Sequence, residues 1–355
     1  MQISKITKSI EKIPLRTPFC TALRRVDAVM FVRVKLTCTN GLFAYGEAPA
    51  TKAVTGEDLE SIGFAIESVK KELYAKELFE ALKILHVKPI GSSAKAALDM
   101  AIFSLLAQKN QQTLLEYLCA EDFSPIQTDV TISLNDTDAM LQDAKDAHEK
   151  GFDILKVKLG TNINHAVSVT KLLAKELPTA KLLIDANQAW NLENSLYYIN
   201  AVNNLHVELI EQPVVAQDLE SLKIITQKSH IPILADEAVF TLEDVKKVYE
   251  NGCANMINIK LMKCGGVSKA REILDYAREK NIACMLGSML EGPTSISVAY
   301  ALCFAYRDVI KYVDLDSPLL YKEVPTSLGG FAINRNQIKP SKPAKSDAVT
   351  MPIFA

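Results

Sequence analysis

The chain has 355 residues, of which 48% are hydrophobic and 23% charged, and its formal net charge is −2 at pH 7. This length can build one large domain together with a smaller one, and the composition is that of a water-soluble globular protein. The near-neutral charge argues against a nucleic-acid-binding surface, because no excess of basic residues is available to neutralise phosphates. No run of about 18 apolar residues occurs, so we expect no membrane-spanning segment.

The seven cysteines are scattered along the chain, and no two of them form a CxxC pair. The opening residues, MQISKITKSIEKIPL, contain no apolar stretch long enough for the core of a signal peptide. An odd number of cysteines in a large chain without such a signal is typical of reduced, mostly buried thiols. We therefore expect a cytoplasmic protein.

Short apolar segments rich in β-branched residues recur from about residue 127 onwards. They start 24 to 29 residues apart and read QTDVTISL, ILKVKLG, KLLIDAN, VELIEQP, IPILADE, MINIKL, ACMLGSM and YVDLD. Amphipathic stretches with helical spacing lie between them, and several of these end in glycine. Eight strand–helix units of this length predict a (β/α)8 TIM barrel. A doubly wound open sheet is the alternative, but it would need a glycine-rich phosphate turn, and no GxGxxG follows any of these segments.

Residues 1–118 show a different pattern. VDAVMFVRVKLT and LFAYGEA are predicted strands on either side of an Asn40–Gly41 hairpin turn, and SSAKAALDMAIFSLLAQK is a predicted helix. We therefore predict an α/β protein in three parts. These are an α+β capping domain over residues 1–118, a TIM barrel over 119–320, and a C-terminal segment, 321–355, that packs back on the capping domain and completes it.

Acidic residues stand where three consecutive barrel strands are predicted to end, and barrels of this type carry their active sites at those ends. Asp185, Glu211 and Asp236, called the rim carboxylates below, would converge at one edge of the barrel. A single acid at a strand end is more often the N-cap of the next helix. Three carboxylates in contact, however, repel one another unless a cation neutralises them. Since oxygen ligands suit a hard divalent cation, we predict a Mg²⁺ site.

Lysines provide the second half of the predicted site. Lys156 and Lys158 lie on the second strand and share one face, because side chains alternate along a strand. Lys260 lies on the sixth strand, half-way round an eight-stranded barrel, so Lys158 and Lys260 would flank a substrate from opposite sides. Burial and a nearby cation lower the pKa of a lysine and make a neutral amine available as a base. Two opposed bases beside a metal that holds a carboxylate are what proton transfer at an α-carbon with inversion requires.

The same motifs resemble a known family. KVK at 156–158, DANQAW at 185–190, EQP at 211–213, ADE at 235–237 and NIKLMKCGG at 258–266 resemble the enolase superfamily, in its muconate-lactonizing subgroup. The resemblance covers nearly the whole chain, including the capping domain. It implies that the rim carboxylates bind Mg²⁺, that Lys158 and Lys260 are the acid/base pair, and that Lys156 assists the substrate carboxylate. It also implies a homo-oligomer.

Two further features resemble the dipeptide epimerases, which interconvert L-Ala-L-Glu and L-Ala-D-Glu. Asp314 and Asp316, called the acidic pair below, lie on one face of the last strand and suit the free α-ammonium of a dipeptide. TPFCTALRRV at 17–26 resembles the loop that covers the substrate, and Arg24 in it matches the arginine that pairs with the substrate glutamate side chain. The resemblance implies three further substrate contacts: Thr131, Ser288 and Leu290.

The second residue of the dipeptide stays open at this stage. Arg25 stands beside Arg24, and the chain departs from the Ala-Glu enzymes in Gly292, Pro293 and Thr294. Broad activity on Ala-Xaa dipeptides is therefore a rival to strict epimerisation of Ala-Glu. If the second residue is glutamate, the resemblance implies a role in the recycling of murein peptide.

Other functions fit the sequence less well. An N-acylamino acid racemase, an o-succinylbenzoate synthase or a muconate cycloisomerase would use the same metal and lysines, but no substrate of these enzymes carries a free ammonium. A Schiff-base aldolase would not need three rim carboxylates. A non-catalytic barrel that only binds a ligand would not need the full set of charged groups. The five histidines lie away from the strand ends and show no HExxH spacing, so we expect no zinc.

Overall fold

The structure is a computed structural model, and it describes residues 1–21 and 25–341. The chain begins with an antiparallel sheet in the order β1-β2-β3, followed by five helices. The strands are β1 (Ile3–Cys20), β2 (Arg25–Cys38) and β3 (Phe43–Pro49). The helices are α1 (Lys52–Thr55), α2 (Leu59–Leu73), α3 (Leu78–Val87), α4 (Ser92–Lys109) and α5 (Leu114–Tyr117).

An eight-stranded parallel sheet, preceded by the short strand β4 (Ile126–Gln127), follows in sequence order. Its strands are β5 (Val130–Ile132), β6 (Ile154–Lys158), β7 (Lys181–Asp185), β8 (Val207–Glu211), β9 (Ile233–Ala235), β10 (Met256–Lys260), β11 (Ala283–Gly287) and β12 (Ile310–Asp314). The backbone amide of Asp129 donates to the carbonyl of Val313 (3.0 Å) and brings the two ends of the sheet together. The predicted barrel is therefore confirmed, and each predicted segment overlaps one of its strands.

Helices alternate with the strands, as the spacing predicts. They are α6 (Thr137–Glu149), α7 (Ile163–Glu176), α8 (Leu192–Val202), α9 (Leu219–Lys228), α10 (Leu242–Glu250), α11 (Leu261–Cys264), α12 (Val267–Lys280), α13 (Pro293–Ala305) and α14 (Ser317–Leu320). The helices after β7, β8 and β9 are N-capped by Asn191, Asp218 and Thr241. Because these residues fill the caps, the rim carboxylates are free for another role. Within the described part of the chain, none of the helices is long and apolar enough to cross a membrane.

The C-terminal strands form a small sheet with β4, in the order β13-β14-β15-β4. They are β13 (Ser327–Leu328), β14 (Phe331–Asn334) and β15 (Gln337–Pro340). Phe331 stacks on Phe304 of α13, with 5.7 Å between the ring centroids. Earlier in this segment, the backbone amide of Lys322 donates to the carbonyl of Pro14 in β1 (2.8 Å). The segment thus contacts both the capping sheet and the barrel, and the division of the chain at residues 118 and 320 stays a prediction.

Glu47 on β3 joins the capping domain to the barrel. Its fully buried carboxylate accepts hydrogen bonds from the backbone amide (2.8 Å) and the hydroxyl (2.8 Å) of Thr294 in the first turn of α13. On its other side lies the Arg33 guanidinium, with Nη2 2.8 Å from Oε1. Gly292 fits this joint because a Cβ there would lie 2.5 Å from Glu47 Oε2. The contact holds α13, and the loop before it, against the capping domain.

We expect Glu47→Ala to lower the free energy of unfolding by about 3 kcal/mol, because it leaves Arg33 and the first amides of α13 without their partner. Urea denaturation measures this change. Glu11→Ala is the matched control, since Glu11 Oε1 lies 4.0 Å from the same guanidinium on a side chain that is 37% exposed. An exposed ion pair of that kind contributes little to stability. Equal losses of unfolding free energy in the two variants would therefore contradict the role of Glu47 in holding α13 against the capping domain.

Glu291, in the loop before α13, is a second buried carboxyl beside this joint. Its Oε1 accepts a hydrogen bond from the backbone amide of Met289 (2.8 Å), and its Oε2 accepts one from the hydroxyl of Ser295. Burial raises the pKa of Glu291 from 4.5 to about 7. The folded state then binds this proton more tightly than the unfolded chain does. Glu291 therefore stabilises the fold fully below its unfolded pKa, and this contribution is lost as the pH rises through about 7.

Glu291→Gln keeps the shape of the neutral side chain and removes its titration. The free energy of unfolding of this variant, relative to the wild type, should rise by about 3 kcal/mol between about pH 4.5 and pH 8. Urea denaturation of both proteins at the two pH values measures the difference. A difference that does not change with pH would show that Glu291 is not held neutral in the fold.

Candidate active site

The carboxyl ends of the barrel strands surround a cavity of about 60 Å³ that collects most of the predicted site. The predicted residues that line it are Thr131, Lys158, Asp236, Lys260, Ser288, Leu290, Asp314 and Asp316. Three more, Lys156, Asp185 and Glu211, are fully buried behind this wall. Lys156 contacts Asp314 and Asp185 contacts Lys158, while Glu211 contacts Lys156. Arg24 lies outside the described residues.

The rim carboxylates lie side by side, as the strand order predicts. Asp185 is opposite Glu211 in the β7–β8 ladder, and Glu211 is opposite Leu234, two residues before Asp236. All three side chains are almost inaccessible to solvent. Burial, and next the charge of Asp185, raise the pKa of Glu211 to about 7. This crowding of negative charge in a buried place is what a divalent cation offsets.

Lys156 lies at the centre of the buried charges. Its Nζ is 2.5 Å from Asp314 Oδ2, 2.7 Å from Glu211 Oε2 and 3.4 Å from Asp185 Oδ2. Burial alone would lower the pKa of Lys156, but these carboxylates outweigh it and hold the pKa well above its ordinary value. Lys156 therefore stays an ammonium, which suits it to attract a carboxylate rather than to act as a base.

Lys158 and Lys260 enter the cavity from β6 and β10, which are four strands apart. Each is held by one rim carboxylate, with Lys158 Nζ 2.6 Å from Asp185 Oδ2 and Lys260 Nζ 2.6 Å from Asp236 Oδ2. Burial lowers the pKa of Lys260, but Asp236 raises it, and the net pKa lies above the ordinary value. In this arrangement the direct contact with Asp236 outweighs burial, and the lowered pKa that we expect for a lysine beside a bound cation stays a prediction.

Two residues that were not predicted from the sequence complete this charge network. Lys263 Nζ lies 2.5 Å from Asp236 Oδ1, and Asn258 Nδ2 donates to Glu211 Oε1 (2.8 Å). Asn258 precedes Lys260 by two residues on β10, so strand alternation could have placed it on the same face. Lys263 belongs to α11, beyond the strand end, and no strand pattern covers it.

Two further buried acids, neither of them predicted from the sequence, have carboxylate oxygens without a hydrogen-bond partner. Glu237 lines the cavity, and burial, followed by the charge of Asp236, raises its pKa to about 8. Neither oxygen of Asp129 receives a hydrogen bond, and burial, followed by Asp314, raises its pKa well above the ordinary value. The site therefore contains more buried acids than lysines.

This donor set fits Mg²⁺, because the rim carboxylates supply hard oxygen ligands from three neighbouring strands. In residues 1–21 and 25–341, no three Asp, Glu, His or Cys side chains already surround one metal position. The lysine ammonium groups take up the carboxylate oxygens instead.

The acidic pair lies at the end of β12, two strands from Lys260 at the end of β10. Lys156 outweighs burial and lowers the pKa of Asp314. Burial, and next Asp314, raise the pKa of Asp316 to about 6. The backbone amide of Thr131 donates to Asp316 Oδ2 (2.7 Å), and that of Ser288 donates to the carbonyl of Asp314 (3.0 Å). Two acidic side chains in the wall of one cavity favour a ligand that carries a positive charge.

A second cavity, of about 510 Å³, adjoins the first. Ala53, Val54 and Glu237 line both, and the second one also has Gln188 and Lys247 in its wall. The first cavity therefore shares part of its wall with a larger space between the capping domain and the barrel loops.

Comparison with known proteins agrees with this geometry. Residues 139–342 match the family described as enolase C-terminal domain-like. Residues 4–119 match the N-terminal domain of the mandelate racemase and muconate lactonizing enzyme family. An L-amino acid-D/L-Glu epimerase from Sulfurimonas denitrificans is 56% identical over 341 residues, which are 96% of this chain and 100% of that relative.

Two solved structures share the fold over nearly the full length. The substrate-liganded L-Ala-D/L-Glu epimerase from Bacillus subtilis aligns with a TM-score of 0.92 at 36% identity and covers 96% of each chain. The dipeptide epimerase from Enterococcus faecalis, complexed with Mg and L-Leu-L-Tyr, aligns with a TM-score of 0.90 at 31% identity over 96% of this chain and 98% of that one. The chain therefore belongs to the enolase superfamily, in the group of mandelate racemase and muconate lactonizing enzyme, and is an isomerase of the racemase and epimerase class.

Proposed function

We propose that this protein is a Mg²⁺-dependent dipeptide epimerase that converts L-Ala-L-Xaa to L-Ala-D-Xaa by moving the α-proton of the second residue. The observation that carries this proposal is the arrangement of charges around one cavity. Lys158 and Lys260 enter it from opposed strands, and the acidic pair forms part of its wall. The relatives named as epimerases of D/L-Glu peptides support the same reaction.

The rim carboxylates would hold Mg²⁺, which when bound polarises the substrate carboxylate and makes the neighbouring α-proton more acidic. The Lys156 ammonium lies among the same oxygens and adds positive charge where the substrate carboxylate would lie. These residues fix the carboxylate, so that the α-carbon is placed between the two lysines.

The two lysines would share the proton transfer. One of them, as a neutral amine, takes the α-proton, and the electron pair of the broken C–H bond moves into the carboxylate. The other, as an ammonium, donates a proton to the opposite face of the α-carbon, so that its configuration inverts. The roles are exchanged in the reverse direction. Because Asp185 and Asp236 hold the two ammonium groups at 2.6 Å, the lysine that acts as base must first give up its proton and weaken this pairing.

The acidic pair favours a dipeptide over an N-acylated amino acid. A free α-ammonium of the first residue would neutralise the pair and donate charge-assisted hydrogen bonds to it. An N-acyl group has no positive charge, so it would bring no further counter-charge to the pair, in which Lys156 contacts Asp314 and the Thr131 amide donates to Asp316. For this reason an N-acylamino acid racemase or an o-succinylbenzoate synthase is the weaker assignment.

We propose glutamate, or a broader set of residues that includes it, as the second residue of the dipeptide. The support is the relative from Sulfurimonas denitrificans, whose name specifies D/L-Glu. The adjoining cavity of about 510 Å³ offers space for larger side chains as well. The roles of Arg24, Thr131, Ser288 and Leu290 as substrate contacts, the cytoplasmic location, the homo-oligomer and the role in murein peptide recycling stay predictions.

Deuterium uptake in D₂O tests this function. With Mg²⁺ present, an L-Ala-L-Xaa library should gain one deuterium at the α-carbon of Xaa, as read by mass spectrometry. EDTA should abolish this exchange and added Mg²⁺ should restore it, while the ranking of Xaa reports the preferred second residue. No exchange with any dipeptide would contradict the proposal and direct the same assay to N-acylamino acids.

Replacing Asp314 or Asp316 with alanine should lower kcat/KM for L-Ala-L-Glu by about 100-fold, because a buried ammonium loses its charged partner. Steady-state epimerisation, followed by circular dichroism or coupled assay, measures the loss. Asp308→Ala is the control, since Asp308 pairs with Arg278 on the exposed surface. If these variants lose as much kcat/KM with an N-acetylated dipeptide as with L-Ala-L-Glu, the acidic pair does not recognise the ammonium.

A further inference from the structure

The barrel closes at a seam between β12 and β5, where the eight-stranded ladder has its two ends. Among the described residues, individual hydrogen bonds join the two sides of the seam in place of a continuous ladder. One of them is the bond from the backbone amide of Asp129 to the carbonyl of Val313 (3.0 Å). The acidic pair lies at this seam, because Asp314 is the last residue of β12 and Asp316 follows the strand.

The hydroxyl of Thr128 connects the two sides of the seam next to the acidic pair. It donates to the carbonyl of Val313 (3.2 Å) and accepts a hydrogen bond from the backbone amide of Leu315 (3.0 Å). Val313 and Leu315 are the two chain neighbours of Asp314. One hydroxyl thus holds the backbone on both sides of that aspartate. The side chain of Thr128 is only 1% exposed and does not line the cavity, so it does not touch a substrate there.

Leu315, which separates the two aspartates, is held from a second direction. The hydroxyl of Tyr300 in α13 donates to the carbonyl of Leu315 (3.1 Å). The side chain of Leu315 is itself completely buried. Both backbone polar groups of this residue therefore have a side-chain partner. The Leu315 side chain packs into the hydrophobic core, while Asp314 and Asp316 on either side of it both line the cavity.

We propose that Thr128 is a positioning residue for recognition of the substrate's amino terminus, with Tyr300 as a second support. This inference rests on the proposed function, in which the acidic pair binds the α-ammonium. Loss of the Thr128 hydroxyl would leave a buried backbone N–H at Leu315 without this partner. The peptide group between Asp314 and Leu315 can recover a partner only if it rotates or shifts. Such a shift would move the carboxylates of Asp314 and Asp316 away from the place where the substrate ammonium binds.

Thr128→Val removes the hydroxyl and keeps the shape of the side chain. We expect it to raise KM for L-Ala-L-Glu by about tenfold or more, with a much smaller change in kcat, because displacement of a binding group by about 1 Å is enough for losses of this size. Tyr300→Phe should change KM in the same direction. Thr128→Ser keeps the hydroxyl and should restore the KM of the wild type.

Thr170→Val is the matched control for a buried threonine hydroxyl. Thr170 is also fully buried, and its hydroxyl bonds to the carbonyl of Ala166 and to the hydroxyl of Tyr198 in the outer helices. We expect this variant to lose stability without a change in KM. A KM effect in Thr170→Val as large as that in Thr128→Val would assign the effect to general destabilisation and overturn the proposal.

Amide hydrogen exchange gives a readout that needs no activity. In the free protein, exchange at residues 313–317 should be faster in Thr128→Val than in the wild type, and unchanged in Thr128→Ser. Unchanged exchange in Thr128→Val would overturn the positioning role alone. Faster exchange with an unchanged KM would overturn the link to substrate recognition. Absence of dipeptide turnover in the wild type would instead overturn the proposed function.

Discussion

The mutual burial of acids and lysines at the mouth of the barrel is the interaction on which the rest of the site depends. Removal of an isolated ion from water costs several kcal/mol even after the protein relaxes, so none of these charges could be buried alone. Each strand presents its charged residue at a fixed height, and Lys156 can therefore contact Asp314, Glu211 and Asp185 at once. The rigid barrel keeps like charges close, and this closeness makes a divalent cation and a zwitterionic substrate favourable there.

Two joints outside the barrel ladder hold the part of the site that would recognise the amino terminus. Glu47 ties the start of α13, and with it the loop that carries Ser288 and Leu290, to the capping domain. Thr128 ties the acidic pair to the opposite side of the barrel seam. In the proposed function, the proton transfer would take place on the strands, while specificity would depend on segments that are held by a few side-chain hydrogen bonds.

The sequence predicts those features that depend on periodicity along a strand. Segment spacing was sufficient for the barrel, and the strand-end rule was sufficient to bring the rim carboxylates together with Lys158 and Lys260. Contacts that depend on the packing of distant segments could not be found in this way. Lys263 reaches Asp236 from the short helix α11, and the raised pKa of Lys260 follows from a carboxylate 24 positions earlier in the chain. Thr128 carries no sequence signal at all, because its role arises only where the barrel closes.

The stereochemistry of α-proton exchange tests most directly whether two opposed lysines carry the reaction. In D₂O with Mg²⁺, the wild type should exchange the α-proton of both L-Ala-L-Glu and L-Ala-D-Glu. We predict that Lys158→Ala and Lys260→Ala each abolish epimerisation, while each retains exchange with one diastereomer, and that this diastereomer differs between the two variants. Retained epimerisation in either variant, or exchange of the same diastereomer in both, would contradict a mechanism with one lysine on each face of the α-carbon.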